Sequence, residues 1–153
     1  MKLKENMPAP DFSLSDQDGN LVSLADFKGK KLALYFYPKD DTPGCTEQAC
    51  NLRDNIALLR KKGITVIGVS ADSARKHKNF EKKYALPFPL LADTDKKMVV
   101  DYEVWGEKKM FGRAYMGIHR TTFLINENGI IDHILTEVDT ADHAQQILDT
   151  WGV

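Results

Sequence analysis

The sequence predicts an α/β fold: a central mixed β-sheet flanked by helices, with an N-terminal β-hairpin. Three observations carry this. First, the apolar runs Leu32–Tyr37 and Ile64–Val69 have no polar alternation and are bounded by turn residues, the mark of strands buried on both faces. Second, the segment between them, Cys45 to about Lys61, repeats Ala49, Leu52, Ile56 and Leu59 at helical spacing. Strand, helix, strand at this separation is a βαβ unit with parallel strands and a right-handed crossover. Third, Arg120–Ile125 and Ile130–Leu135 flank the turn Asn126-Glu127-Asn128-Gly129 and read as an antiparallel hairpin, which makes the sheet mixed.

The remaining elements follow in chain order. Phe12–Ser15 and Leu21–Leu24 are two short strands around the turn Asp16–Asn20. A second turn, Asp26–Lys31, launches the first buried run. The helix that starts near Cys45 ends at Lys61-Lys62-Gly63, cations at the negative end of the dipole and glycine at the cap. Ser73 or Asp72 can cap a helix over Ala74–Tyr84, which Pro87 and Pro89 follow. Leu90-Leu91-Ala92 is a short apolar segment, and Asp93 or Thr94 caps a third helix near Lys96–Tyr102. From Glu103 to Gly117 the pattern weakens. Its glycines at 106, 112 and 117, with Met110, Phe111 and Tyr115, suggest an exposed turn or hairpin. Ala141–Trp151 is a closing helix with Ala144, Ile147, Leu148 and Trp151 inward.

Composition limits the function classes. The 153 residues suffice for one domain, residues 1–153, with a full core and no disulfide staples. A formal net charge of −1 argues against a nucleic-acid or anionic-membrane partner, and the lysine clusters at 28–31 and 76–83 read as solvated faces. No apolar leader opens the chain, and its longest apolar run is six residues, far short of a span. A cytoplasmic setting is expected, where a structural disulfide would be unusual. The two cysteines are too far apart for a zinc pair, and the four histidines, 77, 119, 133 and 143, are scattered.

Chemistry concentrates on Cys45. It lies where a strand, stopped by Pro38, passes through a polar turn into a helix, so free N–H groups and the positive end of the dipole favour a thiolate there. An inert core cysteine is the rival reading, because Cys45 projects to the side of Ala49 and Leu52. Strand, helix, strand, hairpin and helix, with a cysteine opening the first helix, is a thioredoxin-like arrangement. The Cys45–Cys50 spacing is not the Cys-x-x-Cys of a disulfide reductase. Pro38-Lys39-Asp40-Asp41-Thr42-Pro43-Gly44-Cys45 resembles the peroxiredoxin signature Pro-x-x-x-Thr-x-x-Cys. With Cys50 and Arg120-Thr121-Thr122-Phe123-Leu124-Ile125, the chain is similar to the bacterioferritin-comigratory protein or peroxiredoxin Q subfamily. The likeness runs from Pro8-Ala9-Pro10-Asp11-Phe12 through Tyr115-Met116-Gly117-Ile118 to the last hairpin.

That resemblance implies a thiol peroxidase for hydrogen peroxide and organic hydroperoxides, with thioredoxin as reductant and no metal, haem or flavin. Cys45 would be the peroxidatic nucleophile, passing through a sulfenic acid. Arg120 would supply positive charge to thiolate and oxyanion, or else be only a surface charge. Thr42 would orient the peroxide, or only cap the helix. Pro38 would limit water at the mouth, or only end the strand, and the N–H groups of Gly44 and Cys45 could face the substrate. Cys50 lies roughly 140° round the helix from Cys45, on the flank of Arg53, Asp54 and Ala57 rather than the apolar stripe. It therefore reads as a resolving thiol more readily than as a structural one, and the oxidised form would hold a Cys45–Cys50 disulfide. Gln48 and His119 stand where the subfamily commonly has glutamate, and neither is assigned a catalytic role.

Helix geometry puts the two cysteine Cα atoms about 8.6 Å apart, beyond the roughly 7 Å a disulfide tolerates. The segment from Cys45 to about Asp54 must therefore unwind after the sulfenic acid forms. Pro43 and Gly44, with Thr46, Glu47, Gln48 and Asn51 expected on the outer face, should leave little packing to resist this. With both cysteines in one helix no partner subunit is needed, and a monomer is expected. Two other functions fit less of the sequence: a general thiol–disulfide oxidoreductase, which the wide spacing opposes, and a redox sensor or holdase that binds partners when oxidised.

Overall fold

The computed structural model describes residues 1–153. β1 (Ser13–Ser15) and β2 (Leu21–Ser23) form the N-terminal hairpin, and a 3₁₀ turn at Leu24–Phe27 leads to β3 (Lys31–Phe36). Then come α1 (Pro43–Asp54), α2 (Ile56–Lys61), β4 (Ile64–Ser70), α3 (Ala74–Tyr84), β5 (Leu90–Ala92) and α4 (Lys97–Asp101). The hairpin β6 (Trp105–Met110) and β7 (Arg113–Ile118) precedes β8 (Thr121–Ile125), β9 (Ile131–Leu135) and α5 (His143–Trp151). Five strands make the central sheet in the order β5-β4-β3-β8-β9. β3, β4 and β5 are parallel, whereas β8 runs antiparallel to β3 and β9 to β8. This is the mixed, helix-flanked sheet that the sequence predicts.

β3 lacks polar alternation because both its faces are covered. Leu32, Leu34 and Phe36 point into one apolar layer with Phe12, Val22, Met98, Val99, Tyr102 and Phe123. Ala33, Tyr35 and Tyr37 point into the other, beneath Cys45, Ala49, Leu52, Phe80, Ile147 and Leu148. Tyr35 stands opposite Gly68 in the β3–β4 register, and any side chain there would meet the Tyr35 ring at 2.9 Å. The glycine in β4 lets that ring lie over the strand.

Two expectations are corrected. The single helix from Cys45 to about Lys61 is in fact two, broken at Asn55. The Asn55 side chain donates to the Asn51 carbonyl at 2.8 Å, the acceptor its own backbone N–H would use in a continuous helix. Local competition of this kind is what asparagine brings to a helix. Nor is the outer face of α1 uniformly free. Gln48 is fully buried, Asn51 binds the Ala141 carbonyl (3.1 Å) and the Ala144 N–H (2.9 Å), and Glu47 accepts from the Thr140 hydroxyl (2.6 Å). The start of α1 is thus fastened to the chain that enters α5.

Other boundaries agree closely. Ser73 caps α3 by accepting the Lys76 N–H, and Asp93, fully buried, takes the N–H groups of Met98 and Val99 at the start of α4. Burial raises the Asp93 pKa above the usual carboxylate range. The region 103–117 is a true two-stranded hairpin with Met110 and Phe111 exposed at its tip. No helix is long and apolar enough to cross a membrane.

Candidate active site

β3 delivers the chain to the rim of the sheet, and residues 37–42 turn it into α1 with Thr42 at the N-cap and Pro43 as the first helical residue. Proline is suited to that position because its fixed φ fits the helix and its missing N–H is not needed. Cys45 is the third helical residue, only 2% exposed, against the Ala33/Tyr35/Tyr37 layer. The N–H groups of Gly44 and Cys45 find no acceptor within the protein, as first-turn donors do when no side chain caps them. Thr42 does not cap. Its hydroxyl donates to the Lys39 carbonyl at 2.8 Å, so its lone pairs stay available to another donor. Pro38 is half-buried at the strand end.

Arg120 reaches this corner through sheet register. β8 runs antiparallel to β3 with Thr121 opposite Phe36, so the residue just before β8 arrives beside the end of β3. Its Nη2 lies 3.3 Å from Cys45 Sγ, and its Nη1 donates to Gln48 Oε1 at 2.5 Å. A Cβ on Gly44 would stand 3.3 Å from Nη2, so the bare glycine gives the guanidinium its room. A fixed cation against a mostly buried sulfur, at a helix N-terminus, faces any negative charge that develops on an oxygen bound beside it. Cys45, Arg120, Gly44 and Thr42 thus occupy one corner. Cys50 is half-buried further along α1, and both cysteines are free thiols. The principal surface clefts lie elsewhere, and no three His, Cys, Asp or Glu side chains converge as a metal site requires.

Residues 6–134 match the AhpC/TSA family. The chain belongs to that family. A curated relative named Peroxiredoxin Bcp from Escherichia coli K12 is 47% identical over 147 residues, covering 96% of this chain and 94% of the relative. Another of that name from Bacillus subtilis is 44% identical over 150 residues, covering 98% and 96%. Among solved structures, Xanthomonas campestris peroxiredoxin Q superposes with a TM-score of 0.86 at 35% identity, covering 92% of this chain and 90% of that one. A cysteine-to-serine mutant of Xylella fastidiosa PrxQ gives 0.89 at 29% identity, covering 98% and 97%. The chain is a peroxiredoxin, an oxidoreductase of the peroxidase class with a thioredoxin-like fold.

Several features of this peroxiredoxin's site escape a reading of the sequence. Gln48 is the inward partner of Arg120, and its Nε2 is buried without an acceptor. Its spacing of three from Cys45 puts both on one helix face, a signal that its polarity hides. Lys108 of β6 donates to the Ile118 carbonyl at 2.8 Å. Burial first, and then the nearby Arg120 charge, lower its pKa. His119 fastens the approach to Arg120. Its N–H donates to the Val104 carbonyl (2.7 Å) and its ring Nε2 to the Glu107 carbonyl (3.1 Å), with no contact to Cys45.

His143 is another such residue. Fully buried at the start of α5, it sets Nε2 2.9 Å from the Thr122 hydroxyl and Nδ1 2.8 Å from Gln146 Oε1. Nδ1 must donate to the amide oxygen, and because burial keeps the ring neutral, Nε2 accepts from threonine. Burial pushes its pKa from 6.5 down to about 4, with Arg120 adding to the fall and the Gln146 hydrogen bond opposing it. Between those values the unfolded chain binds the extra proton and the folded one does not. The stability from this group is therefore complete above pH 6.5 and is lost as pH falls towards 4. The total is about 3 kcal/mol. Urea unfolding across pH 4–7 should show this slope in the wild type and a flatter one in His143→Gln.

Proposed function

We propose that this peroxiredoxin reduces hydrogen peroxide and organic hydroperoxides with Cys45 as nucleophile and Cys50 as resolving thiol, and that thioredoxin returns it to the dithiol. The observation that carries this reading is the Arg120 guanidinium 3.3 Å from a buried Cys45 Sγ in the first turn of α1. The Cys45 thiolate attacks the terminal oxygen of ROOH and the O–O bond breaks. Sulfur keeps OH as a sulfenic acid, and RO⁻ leaves to take a proton as ROH. Arg120 and the free N–H groups of Gly44 and Cys45 face that charge, and Thr42 orients the peroxide through its free lone pairs. Pro38 screens the site from water. The Cys50 thiol then gives up its proton as its sulfur attacks Cys45 Sγ, the S–O bond breaks, and the departing hydroxide takes that proton to leave as water while the disulfide forms. A structure of the Xanthomonas campestris bacterioferritin comigratory protein was determined to explain its alkyl peroxide reduction activity, which supports organic hydroperoxides as substrates here.

Residues 1–153 act as one domain in this reading, and as a monomer, because both cysteines lie in α1. Turnover that returns Cys45 and Cys50 to the dithiol suits a reducing compartment, which supports the cytoplasm. The test is NADPH consumption with thioredoxin, thioredoxin reductase and a panel of hydroperoxides. Turnover that needs thioredoxin and follows peroxide supports the proposal; insulin reduction without peroxide turnover overturns it.

Arg120→Met isolates the electrostatic role. The substitution should slow the chemical step by roughly 10²-fold, even at high pH where the thiol is fully ionised. Stopped-flow peroxide kinetics across pH reads this. A rate restored fully at high pH would make Arg120 only a neighbour of the sulfur.

A further inference from the structure

The loop between Pro38 and Thr42 is held from below by a buried polar cluster that the peroxidase chemistry does not itself use. His77 of α3 is 0% exposed, yet both its ring nitrogens face acceptors: Nε2 lies 2.9 Å from the Leu91 carbonyl and Nδ1 2.6 Å from Asp40 Oδ2. A carbonyl only accepts, so Nε2 carries a proton, and the 2.6 Å Nδ1–Asp40 contact holds a further proton between ring and carboxyl. The other Asp40 oxygen takes the Tyr37 hydroxyl at 2.5 Å. The Asp40 N–H donates to Asp72 Oδ2 at 2.8 Å, and that N–H belongs to the peptide whose carbonyl is Lys39 O, the acceptor of the Thr42 hydroxyl. Asp41, at φ +58, is tied to α3 as well, its carboxylate taking Lys83 Nζ and the Tyr84 hydroxyl, each at 2.8 Å.

These contacts form one path. His77 fixes the Asp40 carboxylate, Asp40 and Asp72 fix the 39–40 peptide plane, and that plane's carbonyl aims the Thr42 hydroxyl. A buried, fully hydrogen-bonded polar cluster is a strong source of geometry, because it tolerates few arrangements. We infer that His77 is a positioning residue for peroxide reduction, acting through its Nδ1 contact with Asp40 to hold the loop that orients Thr42. This rests on the peroxidase reading of Cys45 and adds a residue 32 positions downstream in another helix.

Two amides separate positioning from folding. An asparagine nitrogen can occupy the place of His77 Nδ1 and keep Asp40, whereas a glutamine nitrogen takes the place of Nε2 and keeps Leu91. Each variant loses one hydrogen bond of the same buried ring, so thermal unfolding should shift by similar amounts. The second-order rate of Cys45 oxidation by peroxide, read by rapid quench and intact mass, should fall about tenfold or more in His77→Gln and less than about threefold in His77→Asn. Thiolate absorbance should be the same in both, since Arg120 and the helix terminus hold the sulfur. Should either amide fail to fold, Asp40→Ala, which leaves His77 Nδ1 and the Tyr37 hydroxyl without their carboxylate, reports on the same path and should show the His77→Gln loss. Equal rates in the two His77 variants, or a wild-type rate in Asp40→Ala, would overturn the inference. A wild-type protein that consumes no peroxide would instead remove the peroxidase reading itself.

Discussion

Cys45→Ser will leave the fold intact and peroxide reduction lost, by at least about 10⁴-fold, the scale seen when a catalytic nucleophile is removed. The hydroxyl is nearly isosteric with the thiol, so the Ala33/Tyr35/Tyr37 layer beneath it stays filled. It is nonetheless a poor nucleophile without a base, and no histidine or carboxylate hydrogen-bonds position 45. Cys50→Ser separates the two thiols. It should reduce one equivalent of peroxide at the wild-type rate and then stall with one oxygen on Cys45, passing to the sulfinic acid when peroxide is in excess. Single-turnover kinetics with intact-mass detection reads both outcomes. A Cys45→Ser protein that consumes peroxide at the wild-type rate sinks the assignment, and a Cys50→Ser protein that cycles normally with thioredoxin removes the resolving role.

How much of this site is legible in the sequence depends on how local each feature is. The Thr42-Pro43-Gly44-Cys45 turn specifies its own helix start, so Cys45 is visible as a reactive sulfur from four adjacent residues. The two buried strands are equally plain, because Leu32–Tyr37 and Ile64–Val69 have no polar face to show. Arg120 enters by register, through the pairing of Thr121 with Phe36, and spacing cannot give that pairing. Gln48 and Asn51 are misread for one reason: polarity suggests exposure, yet Gln48 is buried to hold Arg120 and Asn51 is spent on α5. The Asn55 break rests on one side-chain bond competing with the backbone, and helical periodicity passes through it unchanged. His77 and Asp40 are joined only by the packing of α3 against the β3 rim.

The disulfide form will have lost the helix between Cys45 and Asp54. Both cysteines lie in the regular helix α1, where five residues of rise and roughly 140° of rotation keep their Cα atoms about 8.6 Å apart. A disulfide needs them within about 7 Å with converging side chains. The break at Asn55 allows α1 to unwind while α2 stays wound. Resistance comes from named contacts: Ala49 and Leu52 in the core, Gln48 on Arg120, Arg53 on the Tyr84 carbonyl (2.7 Å), Glu47 on Thr140, and Asn51 on Ala141 and Ala144. Hydrogen exchange should therefore show residues 46–54 protected in the dithiol and unprotected in the disulfide. The Ala144 amide should lose protection with them, because Asn51 is its acceptor. Asn51→Ala removes two of the restraints. At about 1 kcal/mol each, about 2 kcal/mol together, it should raise the unwound fraction of the sulfenic form by roughly thirtyfold. Disulfide formation then gains on the second peroxide, and more peroxide is needed to reach the sulfinic acid. Equal protection of residues 46–54 in the two redox forms would mean that the cysteines meet without unwinding, and the switch would be wrong.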